Sequence, residues 1–213
     1  MRERYGLSDD LVRLVINGIS VAAEPAPPEL FPALRIVCVG SLIVQKGVDI
    51  LIEAAHLALQ PWTATVLGDG PARSRLEVDA AVRAPGRLSF AGWQDDPLKA
   101  MRLADVLCLP SRWESTPYVA LEAMGQGRPV VGSEADGMQE IVEHGCTGLL
   151  VPSEDPTALA GALDGLAERR VAVAEMGRRA YERVTRLFTL ERMLAETIDV
   201  YNEVAPPRSR WLA

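Results

Sequence analysis

The chain is short of the features that mark several classes of protein. Its 213 residues hold three cysteines and two histidines. Cys38 and Cys108 lie in apolar runs and Cys146 in a glycine-flanked loop. This odd, scattered set reads as free thiols of a reducing compartment, not as a disulfide framework. No Cys/His spacing matches a zinc site, so no metal is expected. Neither His56 nor His144 lies beside a serine or cysteine nucleophile with a third orienting group, which removes the hydrolytic triads. Lys and Arg number 22 against 29 Asp and Glu, for a net charge of −7. That balance argues against nonspecific nucleic-acid binding, which needs clustered basic residues. No apolar run is long enough to span a bilayer. Met1-Arg2-Glu3-Arg4 is not followed by the apolar stretch of a secretion signal. The expected compartment is the cytoplasm. The phosphate loop GxxxxGK(S/T) is missing, as are internal repeats and low-complexity tracts.

What is present is ordinary in composition, 48% hydrophobic and 24% charged, and sufficient for one large domain or two small ones. Arg13-Leu14-Val15-Ile16 reads as a short strand closed by Asn17-Gly18. Residues 24–32 carry four prolines, a stiff linker and a candidate boundary. Strands and helices then alternate. Strands are expected at Arg35–Gly40, Thr63–Leu67, Arg87–Ala91, Asp105–Pro110, Pro129–Gly132 and Gly148–Val151. Helices are expected at Gly47–Leu59, Ala72–Arg83, Pro97–Leu103, Pro117–Gln126, Met138–Glu143, Pro156–Glu168, Val173–Arg186 and Leu190–Val204. Such alternation means an α/β fold, a Rossmann-like parallel sheet of about six strands with helices on both faces. Ligands of such sheets bind at the carboxyl ends of the strands, so the loops there carry the argument.

The richest of them is Glu114-Ser115-Thr116-Pro117-Tyr118-Val119-Ala120-Leu121-Glu122. It sets one carboxylate before a helix and a second inside it. Thr116 suits the N-cap and Pro117 the first helical position. The free N–H groups of such an end attract phosphate, and ionised carboxylates accept hydroxyl hydrogen bonds. A ligand with both a phosphate and free hydroxyls fits, as a nucleotide sugar does. The loop after the first strand ends in Lys46-Gly47 and puts an ammonium beside the strand ends, where it can neutralise a diphosphate. An ordinary solvated lysine is the bland alternative. Gly68-Asp69-Gly70-Pro71 is satisfied as a tight turn. Gly92-Trp93-Gln94 could wall a base pocket, or Trp93 could be an exposed aromatic closing a loop. Gly132–Gly137 could complete the pocket with backbone N–H groups, or be a simple connection. Glu122 sits among Val119, Ala120, Leu121, Ala123 and Met124, where an unpaired carboxylate is costly unless a diol or an arginine meets it.

Taken in order, Lys46-Gly47, Gly68-Asp69-Gly70-Pro71, Ala104-Asp105-Val106, Glu114 to Glu122 with Leu121-Glu122-Ala123-Met124, Glu140-Ile141-Val142 and Gly148-Leu149-Leu150-Val151 resemble the C-terminal, donor-binding half of a GT-B glycosyltransferase of the retaining group 1 (GT4) family. The resemblance runs from about residue 13 to residue 204. It implies transfer of a hexosyl group from a UDP-, GDP- or ADP-sugar, with no cofactor or metal. The implied catalytic residues are Glu114, facing the transferred sugar, and Lys46, holding the diphosphate. Glu122 would accept the ribose hydroxyls. The backbone of Ser115, Thr116, Pro117, Tyr118 and Val119 would contact sugar and phosphates, and Gly92, Trp93 and Gln94 would line the base. One departure stands out. Ser41 occupies the place of the family's phosphate-binding arginine, with Arg112 a conceivable substitute. The resemblance also implies an N-terminal half, expected outside these 213 residues, which would bind an acceptor glycan, lipid or small molecule and supply any peripheral membrane contact. On this reading residues 1–21 are a remnant of that half or a hinge, 22–187 the nucleotide-sugar domain, and 188–213 a crossover helix and tail. The competing readings are a noncatalytic nucleotide-sugar-binding module and half of a sugar-nucleotide epimerase.

Overall fold

The computed structural model describes residues 12–21 and 33–204. The proline-rich linker expected at 24–32 and the tail after 204 lie outside them. The six strands are β1 Leu34–Val39, β2 Trp62–Leu67, β3 Leu88–Gly92, β4 Val106–Leu109, β5 Val130–Ser133 and β6 Gly148–Val151. The helices are α1 Val48–Leu57, α2 Arg73–Arg83, α3 Pro97–Leu103, α4 Tyr118–Gly125, α5 Asp136–Ile141, α6 Pro156–Glu168, α7 Arg170–Leu187 and α8 Leu190–Val204. A 3-10 turn, Val44–Lys46, precedes α1. All strand pairs are parallel, in the order β3-β2-β1-β4-β5-β6.

The two-residue period of the strands divides the core. Ile36, Cys38, Val66, Val106, Cys108 and Val131 face α1, α2 and α6. Val37, Leu67, Leu107, Leu109 and Val130 face α3, α4, α5 and α7. Both faces are covered at β4, β5 and β6, which therefore are buried almost throughout, whereas β2 and β3, toward the other edge, alternate more buried with more exposed residues. Two helices start on the same local chemistry. Asp96 accepts the Lys99 N–H at 3.2 Å before Pro97, and Asp155 accepts the Ala158 N–H at 2.8 Å before Pro156. Each aspartate caps, and each proline sits where its missing N–H is not needed.

Several expectations are corrected. Arg13–Ile16 is not a strand. The segment runs beside the start of α8, where Ile19 makes a single bridge to Thr189 and the Leu190 N–H donates to the Ile19 carbonyl at 2.9 Å. Its apolar residues Ile16, Ile19 and Val21 pack on the face beneath α4 and α7, so burial against helices replaces strand pairing. Helix α5 begins at Asp136, two residues before Met138, and ends at Ile141. Helix α4 begins at Tyr118. Thr116 is not its N-cap; Pro117 is, with φ −71° and ψ 105° and no side-chain cap bond.

The sheet order fixes where a ligand can sit. Strands β1 and β4 are neighbours, yet the loop from β1 leads to α1 on one face and the loop from β4 leads to α4 on the other. The two connections diverge and open a crevice at this switch point.

Candidate functional site

Lys46 and Glu114 meet in that crevice. Lys46 Nζ lies 2.6 Å from Glu114 Oε1, and the Glu114 side chain is 7% exposed. Lys46 is the last residue of the 3-10 turn, not of a helical first turn, and Gly47 ends the turn in a left-handed conformation at φ 65°. The Ser111 hydroxyl donates to the same Oε1 at 2.8 Å. Oε2 of Glu114 accepts no hydrogen bond among the described residues. One oxygen is therefore anchored twice, and the other is not tied down by a described side chain.

The loop carrying Glu114 is held from both sides. The Arg112 N–H donates to Gln45 O at 2.8 Å, Gln45 Nε2 donates to Trp113 O at 3.1 Å, and Ser133 Oγ donates to Ser111 O at 2.6 Å. The Gly137 N–H reaches Glu114 O at 3.4 Å. A Cβ on Gly137 would stand 1.5 Å from Ser115 O, so only glycine lets α5 approach this loop. The same device operates next door. A Cβ on Gly68, at φ 129°, would stand 2.0 Å from Gly40 O. The turn Gly68–Pro71, sufficient as a simple turn in the sequence, is here the surface on which the Lys46 loop rests.

Arg112 is not free to replace an arginine at Ser41. Its two terminal nitrogens bind the two Asp49 oxygens at 3.0 and 2.8 Å, its Nε lies 3.2 Å from Glu154 Oε1, and Nη1 also donates to Val44 O at 2.6 Å. It is a strut between the β1 and β4 loops. Ser41 is exposed, and its hydroxyl bonds no described residue.

Glu122 lies in α4, half-buried, and accepts no side-chain hydrogen bond among the described residues. Burial without a partner pushes its carboxyl above the ordinary carboxylate range. Ser115 and Tyr118 are exposed, Thr116 and Val119 half-buried and Pro117 buried at the head of α4. The N–H groups of Tyr118 and Val119 have no carbonyl available within the helix. Gly92 closes β3, Trp93 beside it is 75% exposed, and Gln94 Nε2 donates to Ala91 O at 2.9 Å. These three residues stand two strands away from β1, about 10 Å at the usual strand spacing. Among the described residues no cluster of three metal-ligating side chains occurs.

Ser111 and Ser133 were not singled out in the sequence. The signal available was Ser111 directly after the strand-ending Pro110 and three residues before Glu114, a spacing too common to stand out.

Residues 33–169 match the family of glycosyl transferases group 1. The chain belongs to this family. Among group 1 relatives, it is 32% identical over 159 residues to the lipopolysaccharide core biosynthesis glycosyltransferase LpsE of Rhizobium meliloti (strain 1021), covering 73% of this chain and 46% of that one. Sucrose-phosphate synthase from Thermosynechococcus elongatus is similar in structure at TM-score 0.80 and 28% identity, over 90% of this chain and 52% of that one. Anabaena HepE in complex with UDP and glucose shares the fold at TM-score 0.77 and 24% identity, over 81% of this chain and 49% of that one. The sheet is thus that of GT-B glycosyltransferases. This group 1 chain spans less than half the length of the curated relatives it matches.

Proposed function

We propose that this chain is the donor-binding half of a retaining, GT4-type glycosyltransferase that takes a hexosyl group from a UDP-, GDP- or ADP-sugar without a bound metal. The observation that carries the reading is the Lys46–Glu114 contact inside the β1/β4 crevice. A nucleoside diphosphate sugar laid across the strand ends meets Trp93 and Gln94 with its base, Glu122 with its ribose, Lys46 with its diphosphate and Glu114 with its sugar. Transfer breaks the bond from the sugar C1 to the diphosphate oxygen, forms one from C1 to the oxygen of an acceptor hydroxyl, and passes that hydroxyl's proton to the leaving diphosphate. Charge gathers on the leaving diphosphate, where Lys46 and the free N–H groups of α4 stabilise it.

The acceptor comes with a second half. Helix α8 supports this: Leu194, Ile198 and Tyr201 are all at least 49% exposed and recur at helical spacing along one face. Such a stripe on a helix with no buried residue suits a covering domain. The acceptor is a glycan, a lipid or a small molecule, and the working compartment is the cytoplasm.

A noncatalytic nucleotide-sugar module is the second reading. It draws on Ser41 and on the commitment of Arg112 to Asp49, which leave Lys46 as the cation closest to Glu114.

Calorimetric titration with UDP, GDP and ADP and their glucose conjugates tests the donor-half reading. One nucleotide binds, and Lys46→Ala weakens it about tenfold or more. Glu122→Ala weakens it as well. Failure of all three nucleotides and all three conjugates to bind ends the reading. Hexosyl transfer after adding an acceptor half from a full-length relative separates enzyme from module.

A further inference from the structure

We propose that Ser111 is the positioning residue of the donor-sugar subsite. Its hydroxyl holds Oε1 of Glu114, so that Oε2 is presented to a hydroxyl of the transferred sugar. The inference rests on the donor-half reading and deepens it.

Three observations carry it. First, Ser111 is 1% exposed and spends its hydroxyl on the carboxylate at 2.8 Å instead of on a nearby backbone carbonyl. Second, the other anchor of Oε1 is Lys46, whose ammonium is also the group the diphosphate claims. When the donor draws Lys46 away, the Ser111 hydroxyl is the contact that still fixes the carboxylate plane. A glutamate side chain has three rotatable bonds, and without that anchor its free oxygen sweeps out of register with a bound sugar. Third, the backbone of the loop is secured independently. Ser133 Oγ binds the Ser111 carbonyl, Arg112 N–H binds Gln45 O, Gln45 binds the Trp113 carbonyl and Gly137 N–H faces the Glu114 carbonyl. Removing the Ser111 hydroxyl leaves all four in place. It therefore loosens the carboxylate without unfolding the loop.

The test compares a nucleoside diphosphate with its glucose conjugate on the wild-type chain, Ser111→Ala and Ser111→Thr. The readout is the affinity gained from the sugar, the ratio of the two dissociation constants, measured by calorimetry with the nucleotide that the wild type binds. In Ser111→Ala the constant for the free diphosphate stays within about twofold, while the sugar gain falls about tenfold, as for a lost hydrogen bond to a charged group. Ser111→Thr keeps the hydroxyl and restores most of the gain. Thermal melting of both variants checks that the fold is kept. An unchanged sugar gain in Ser111→Ala overturns the proposal. So does equal weakening of diphosphate and conjugate, which makes the hydroxyl a support of the whole loop. A wild type that binds no nucleotide defeats the donor-half reading instead.

Discussion

Arg112 grips Asp49 through two nitrogens, at 3.0 and 2.8 Å, and so ties the loop after β4 to the first turn of α1. The hydrogen bonds from Arg112 hold the Asp49 carboxyl below its ordinary range. A carboxylate with a depressed folded-state pKa contributes stability above its unfolded pKa and loses it as pH falls through the folded value. Asp49→Asn therefore lowers the melting temperature at neutral pH, by roughly 1 kcal/mol of stability. The difference from wild type closes as the pH drops below the Asp49 value. Melting curves over an acid-to-neutral series read both effects.

Glu122 has the opposite sign. Burial raises its folded-state pKa, so the folded chain holds the proton more tightly than the unfolded one. That group costs stability as pH rises from its unfolded value through its raised folded value, and the full cost is present above it. Glu122→Gln raises the melting temperature at neutral pH and leaves it unchanged in acid. The same substitution weakens nucleotide binding if the carboxylate is the ribose acceptor. A variant that melts lower at neutral pH removes the desolvation argument.

Two glycine substitutions separate frame from filler. Gly137→Ala forces a methyl group onto Ser115 O, displaces the Glu114 loop and abolishes nucleotide-sugar binding. Gly161 lies exposed within α6, and a methyl group added there would meet nothing within 4 Å. Gly161→Ala stabilises by about 0.5–1 kcal/mol through helix propensity and leaves binding alone. Denaturant midpoints and calorimetry on the two variants give the contrast.

The three thiols differ in reach. Cys38 and Cys108 are fully buried; burial pushes Cys38 up to about 12 and Cys108 well above its ordinary value. Cys146 is half-buried on a loop. In the native chain a disulfide reagent at neutral pH titrates Cys146 alone, and in denaturant all three react. Rapid native reaction at Cys38 would mean that the core between the sheet and α1, α2 and α6 opens to solvent.

Strands such as β4 and β6 and the long helices were legible because burial on both faces writes itself into the chain as apolar runs, and α6 and α8 follow their periodicity to the residue. Lys46 and Glu114 were legible as charged residues in loops at the carboxyl ends of two strands, and the structure brings them into contact. What escaped depends on contacts between distant segments. Thr116 has the right side chain for a cap, but the approach of Gly137 to Ser115 sets the course of the chain there, and the helix starts at Tyr118. Arg13–Ile16 has the composition of a strand, yet that segment packs along α8 and not on either edge of the sheet. Arg112 looked available for phosphate because nothing local reveals that Asp49, 63 residues away, already holds it.

At two points the loops around the crevice touch through bare backbone, Gly68 against Gly40 and Gly137 against Ser115. There no side chain stands between them to be trimmed or enlarged. On the donor-half reading, a change of donor therefore falls on exposed residues near the strand ends, Ser41, Trp93 and Tyr118 among them, and not on these two contacts. A saturation library selected for a new nucleotide sugar will show the same division: free exchange at those exposed positions, and near silence at the two glycines.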